Sequence, residues 1–266
     1  MNEAERKKYD EAEANGSLPA LRLAVKSFCA PIWWEINGKT ILGNGSMCVI
    51  ETPRAVFGVT ANHVVEAYQT QKAAHQDAFC QLGGAPFDPV PNVIARSEHW
   101  DLATFSIPPF TLEHWGSHHR IYKTGAWPPP TIRNNDPVIL GGYPINRRSQ
   151  PEGDRPPTMS IDFVSFISRA ENWSENHMSL NLDSANWYWP QGAGLLPNAE
   201  LSGASGGPCF VMLPEENRIE LAGFIYQGHT EYEVIRVRQA GLVYADGTIA
   251  ASPIEAPLRR DKQSVE

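Results

Sequence analysis

No stretch of this 266-residue chain approaches the roughly 20 consecutive apolar residues that a membrane-crossing helix needs. Basic residues are in the minority. The 22 Lys and Arg against 30 Asp and Glu leave a net charge of −8, so a phosphate backbone is not an expected partner and nucleic acid is set aside. Cysteine is scarce. Cys29, Cys48, Cys80 and Cys209 form neither a C-x-x-C pair nor a metal-ligand spacing. The opening residues, MNEAERKKYDEAEANGS, lack the apolar centre of an export signal, which predicts a cytoplasmic protein with reduced thiols. Long helical periodicity is also rare. It is confined to the first residues, to ANHVVEAYQTQKAAHQ and to the tail.

What the chain does have is strand signal. With 42% hydrophobic and 20% charged residues it has a globular composition, enough for one large domain or two small ones. Short β-rich runs recur from LRLAVKSFCA and GNGSMCVIE through RAVFGVT, DLATFSI, PVILGGY, IDFVSFI, HMSLNLD, PCFVML and IELAGFIY to EVIRVRQAGLVY. Pro, Gly, Asn or Asp separates them, and Asn37-Gly38 is a favoured two-residue hairpin turn. The reading is all-β, barrel or sandwich. A polar segment occupies residues 1–20. TGAWPPPTIRNND, residues 124–136, reads as a linker and divides the β-rich part into halves at 21–123 and 137–250, with a tail at 251–266. NRRSQPEGDRPP reads as an exposed loop.

One stretch carries candidate chemistry. LSGASGGPCF surrounds Ser205 with Gly203, Gly206 and Gly207. Alone it is more often a turn than an active site. A hydroxyl nucleophile also needs a base and a group that orients the base. Of eight histidines, His63 alone follows a strand and opens a helix, in FGVTANHVVEAY, where Thr60 and Asn62 are candidate caps. Asp101 stands where a polar stretch becomes the apolar run LATFSI, a costly place for a carboxylate without a partner. Each residue has an ordinary reading by itself: a locally bonded histidine, a strand-edge aspartate, a glycine bend.

Taken together, His63, Asp101 and Ser205 occur in that order, 38 and 104 residues apart. TANHVV, DLA and GASGGP resemble the histidine, aspartate and nucleophile motifs of the trypsin-like, chymotrypsin-fold serine peptidases, especially bacterial ones. The resemblance spans roughly residues 22–250. It implies two antiparallel β-barrels packed side by side, with His63 and Asp101 from the first and Ser205 from the second. It implies a serine endopeptidase that works through an acyl-enzyme on Ser205, with His63 as general base and acid and Asp101 orienting it. The N–H groups of Gly203 and Ser205 would form the oxyanion hole, with Gly206 and Gly207 leaving room for a peptide. No cofactor and no metal are implied. The partners are a polypeptide substrate and, if activity is gated, a regulatory protein. An alternative is a chymotrypsin-fold binding or scaffold protein with the same three residues unused.

The chain also departs from the family. Ala204 stands where animal digestive members have an Asp that pairs with a released N-terminus, so no such activation is implied. Val64 and Val65 follow His63, so the family's disulfide there has no obvious partner. For the substrate pocket the resemblance points to Ala199, Glu200, Tyr226, Gly228 and His229, and the small Ala199 suggests a small or apolar side chain at the cleavage site. GASGG also fits the nucleophile elbow of α/β-hydrolases. That fold needs a helix after the serine and the order Ser, acid, His, whereas Pro208 and CFVML follow here. In HWGSHH, no acidic or Cys ligand completes a metal-binding pattern with His114, His118 and His119, which read as a surface loop rather than a metal site. The aromatic cluster Trp187, Tyr188 and Trp189 reads as packing or cleft wall.

Overall fold

A computed structural model describes residues 3–37, 40–129, 131–145, 148–149, 160–171, 174, 176–181, 201–213, 218–229 and 234–252. Two helices lead in, α1 (Glu3–Ala14) and α2 (Ser17–Ser27). The run LRLAVKSFCA, expected as a strand, is therefore helical through Ser27. Leu21, Leu23 and Val25 alternate as a strand would, but Leu18, Leu21 and Val25 also recur at helical spacing. The second pattern prevails: Leu18 and Val25 are buried and Leu21 packs beside them, while Leu23 is 66% exposed. Pro19 falls in the first turn, where its missing N–H costs nothing. A two-pronged Glu13–Arg22 pair at 2.7 Å ties α1 to α2, and this bond holds the Glu13 carboxyl below its usual range.

Eight strands follow: β1 (Cys29–Ile36), β2 (Thr40–Glu51), β3 (Val56–Thr60), β4 (Phe79–Leu82), β5 (Ala85–Pro86), β6 (Val93–Ser97), β7 (Leu102–Ser106) and β8 (Tyr122–Lys123), with α3 (Asn62–Ala74) and α4 (Pro109–His114) between them. They form one sheet in the order β5-β4-β1-β2-β3-β7-β6, with β8 alongside β2. The second half holds β9 (Pro137–Gly142), the small pair β10 (Arg148–Ser149) and β11 (Ser160–Ile161), β12 (Val164–Arg169), β13 (His177–Asn181), β14 (Pro208–Leu213), β15 (Arg218–His229) and β16 (Val234–Gln239). Its main sheet runs β12-β9-β14-β15-β16-β13. Just beyond β12, Glu171 exchanges two backbone bonds with Ser179 of β13, at 2.9 and 3.0 Å, which joins the two ends of the sheet into a closed barrel. The described residues of 124–136 contain neither helix nor strand.

Strand alternation explains how the halves stack. Successive side chains on a strand point to opposite faces. On β2, Met47 and Val49 enter a cluster inside the first sheet, with Trp34, Tyr68 and Phe105. Cys48 and Ile50 point the other way, into a cluster between the sheets. On β9, Val138 and Leu140 fill the second barrel while Ile139 faces the first sheet. On β14, Cys209 and Val211 do the same while Phe210 faces the first sheet. The molecule therefore has two sheet interiors and one shared apolar seam, the side-by-side arrangement of a chymotrypsin-like fold. The seam is aromatic: Phe210 meets Tyr122 edge-on at 5.2 Å, and Phe28 touches both rings.

Candidate functional site

Strand β3 ends at Thr60, and α3 begins two residues later, so His63 lies in the first turn of α3. The first N–H groups of a helix have no partner within it. Neither Thr60 nor Asn62 supplies the expected cap. Thr60 Oγ1 donates instead to the Ser46 carbonyl at 2.7 Å, and Asn62 bonds Glu66 and Arg96. The His63 N–H donates to Asp101 Oδ1 at 2.9 Å, so a carboxylate from another loop serves the helix end. The other oxygen, Oδ2, lies 2.8 Å from His63 Nδ1. Two bonds to one carboxylate fix both the position and the rotation of the imidazole. They leave Nε2 as the free ring nitrogen, with the side chain about half exposed. Arg96 braces the helix behind, reaching Asn62 at 2.7 Å and Gln69 at 2.8 Å.

Asp101 closes a tight turn whose first residue is Glu98, with its N–H on the Glu98 carbonyl at 3.2 Å. Its φ is +50°, in the left-handed region that Asp tolerates better than most side chains. Trp100 anchors the turn, with its indole N–H donating to the Ala250 carbonyl at 2.9 Å.

Ser205 comes from the loop before β14 and is 8% exposed. Gly203 has φ +93°, and a Cβ there would lie 2.7 Å from Asn44 Nδ2 and 2.8 Å from the Tyr143 carbonyl. The Ser202 carbonyl accepts the Ile145 N–H at 2.7 Å. Because the peptide is trans, the Gly203 N–H points away from Ile145. Neither this N–H nor that of Ser205 donates to any described residue. Ser205 Oγ likewise has no hydrogen bond to His63 or to any other described residue.

The loop is locked to the first sheet through Ser46 of β2. The Ser46 N–H donates to the Ser205 carbonyl at 2.8 Å, and its hydroxyl donates to the Gly203 carbonyl while accepting the Tyr143 N–H, both at 2.9 Å. Gly206 and Gly207, expected to leave room for a peptide, make room for the protein itself. A Cβ on Gly206 would collide with the Ser46 carbonyl and Thr60 Oγ1, and one on Gly207 with the Gly141 carbonyl. Ala204 is buried in the second barrel's interior, a site hostile to a charged side chain.

His63, Asp101 and Ser205 open onto one cleft of roughly 500 Å³, shared with Glu98, His99, Leu201, Tyr226, Gly228 and Arg238. Of the five residues expected to read the substrate, Tyr226 and Gly228 line this cleft. His229 ends β15, and its side chain lies outside the described part, as do Ala199, Glu200 and the cluster Trp187–Trp189. Ser46, Arg96 and Arg238 carry no motif and are not evident in the sequence, because each acts across a long sequence separation. His119 differs from the expected surface loop: it is 6% exposed against Trp115, and burial lowers its pKa to about 4. Among the described residues no group of three His, Cys, Asp or Glu side chains converges to hold a metal ion.

No protein-family model matches the sequence, and no curated protein matches it. Similar solved structures include the Rv3671c protease from M. tuberculosis in its active form, 17% identical, covering 86% of this chain and 82% of that one, TM-score 0.49. Another is the serine endoprotease from Yersinia pestis, 13% identical, covering 83% and 62%, TM-score 0.46. A third is the thermostable serine protease AL20 from an extremophilic microorganism, 14% identical, covering 81% and 92%, TM-score 0.44.

Proposed function

We propose that this chain is a serine endopeptidase that hydrolyses peptide bonds through an acyl-enzyme on Ser205. The observation that carries the reading is the double hydrogen bond of Asp101 to the N–H and Nδ1 of His63, on the cleft that Ser205 also lines. His63 Nε2 takes the Ser205 proton as Oγ attacks the scissile carbonyl, then returns it to the leaving amine. Asp101 holds the tautomer with its proton on Nδ1 and stabilises the imidazolium that forms. The N–H groups of Gly203 and Ser205, which donate to no described residue, receive the developing oxyanion. Tyr226 and Gly228 wall the substrate side, and the resemblance adds Ala199, Glu200 and His229. No cofactor enters the scheme.

A second reading has one observation in its favour. Ser205 Oγ is not hydrogen-bonded to His63, which suits a site completed by a regulatory partner or by substrate. Such bonds often tighten only in the substrate complex. The test is peptide cleavage by the wild type and Ser205→Ala. Removing the hydroxyl should leave the fold intact and take cleavage down to the residual ~10³–10⁴-fold over water that binding and an oxyanion hole supply. Equal cleavage by both proteins overturns the assignment. Cleavage that appears only with an added cell fraction, and still requires Ser205, supports the gated form.

A further inference from the structure

Arg238 lies in the cleft but has no part in the scheme above. It projects from β16 of the second barrel and reaches the turn of the first half that carries Asp101. Its Nε donates to the Trp100 carbonyl at 2.7 Å and one terminal nitrogen to the His99 carbonyl at 3.4 Å. The guanidinium lies 3.9 Å from the centre of the Tyr226 ring and 5.6 Å from that of Trp100. Tyr226 is the extra residue of a β-bulge, since Ile225 pairs with Val237 and Gln227 with Arg236. A bulge re-aims a side chain that regular alternation would place elsewhere, and here the ring forms the bed for the cation.

Two features show what this arrangement does. A residue at φ +50° persists only where its surroundings hold it, and Arg238 grips the two carbonyls directly before Asp101. Its Nε and one terminal nitrogen are engaged with the turn and one of its faces with Tyr226, which points to a role in holding the turn. We propose that Arg238 is a positioning residue. It fixes the Asp101 carboxylate against His63 from the opposite barrel, and its positive charge faces the same cleft. Burial lowers the pKa of the guanidinium, while Tyr226 and Asp101 oppose that effect. The other groups around it are Arg236 and His177 from the second barrel and Glu98 and His99 on the turn. All of them are retained in the sequence when Arg238 alone is changed.

The proposal deepens the peptidase reading but is tested without relying on it. The full chain is labelled with ¹⁵N-histidine, and the protonation of His63 is followed by NMR in the wild type, Arg238→Gln and Arg238→Lys. Removing a cation beside the pair favours the imidazolium. Arg238→Gln should therefore displace the His63 titration curve towards higher pH. Arg238→Lys keeps the charge and should leave the His63 curve close to that of the wild type. Should Arg238→Gln not fold, Arg238→Met keeps the stem over Tyr226 and is read in the same way. In peptide cleavage, kcat should fall in the Gln variant with KM little changed. An unmoved His63 midpoint, or equal shifts in the Lys and Gln variants, overturns the proposal. A shifted midpoint in a wild-type background that never cleaves peptide upholds it while rejecting the peptidase reading.

Discussion

Asp101 serves two donors at once, the orphan N–H at the start of α3 and the imidazole Nδ1 of the same residue. That double duty separates structure from chemistry in a single substitution. In Asp101→Asn the amide oxygen can still accept the helix N–H, so the fold should hold. The amide then presents its own donor to Nδ1 and selects the wrong tautomer. Peptide cleavage near neutral pH should fall on the order of 10⁴-fold, with an unchanged far-ultraviolet spectrum. A near-normal rate identifies Asp101 as a helix cap and nothing more. At this scale the sequence is unusually readable. A carboxylate at the head of an apolar strand and a histidine at a strand-to-helix junction are both costly without partners, and the structure brings the two together. Arg238 was not readable, because its partners are Trp100 and His99, well over a hundred residues away, and no local pattern marks the pairing.

Among the elements, the loop before β14 is the one most constrained by its neighbours. Gly206, at φ +88°, sits against the Ser46 carbonyl and the Thr60 side chain. Gly206→Ala should cost about 3 kcal/mol or more, combining left-handed strain with overpacking against backbone. Equilibrium denaturation measures it, and a loss under about 1 kcal/mol contradicts the packing described for this loop. The sequence shows that these glycines matter but not why. Substrate clearance and close approach of another strand demand the same residue, and only the contacts tell them apart. A similar ambiguity governs α2, where LRLAVKS satisfies both a two-residue and a helical period. The choice falls to the helix because Leu18, outside the strand-like run, completes a buried stripe with Leu21 and Val25. The capping of α3 departs from the sequence pattern for a different reason: Thr60 and Asn62 are good caps, but β2 and Arg96 engage their side chains.

Across the whole molecule, the two-sheet architecture follows from alternation on β2, β9 and β14, each of which feeds a sheet interior with one face and the shared seam with the other. Short strands with turn residues between them were enough to indicate an all-β chain. The closure of the second barrel depends on the pairing of Glu171 with Ser179, which no pattern announces. The four cysteines are absorbed into this core. Cys29 and Cys48 are direct neighbours across β1 and β2, yet all four are free and buried, and burial pushes each thiol pKa up. Because the thiolate is the reactive form, a thiol reagent should react slowly with the folded protein and count four groups once it is unfolded without reductant. A count of two contradicts this.

The central claim is that Ser205 is an activated nucleophile. It is tested most directly by incubating the intact protein with a fluorophosphonate probe and locating the adduct by mass spectrometry. An activated serine reacts because His63 removes its proton, whereas an ordinary loop serine does not. One adduct per chain on Ser205, abolished in Asp101→Asn and His63→Ala proteins that remain folded, is the predicted result. A folded wild-type protein that takes no label, with or without its cellular partners, or that takes it on a different serine, contradicts the account.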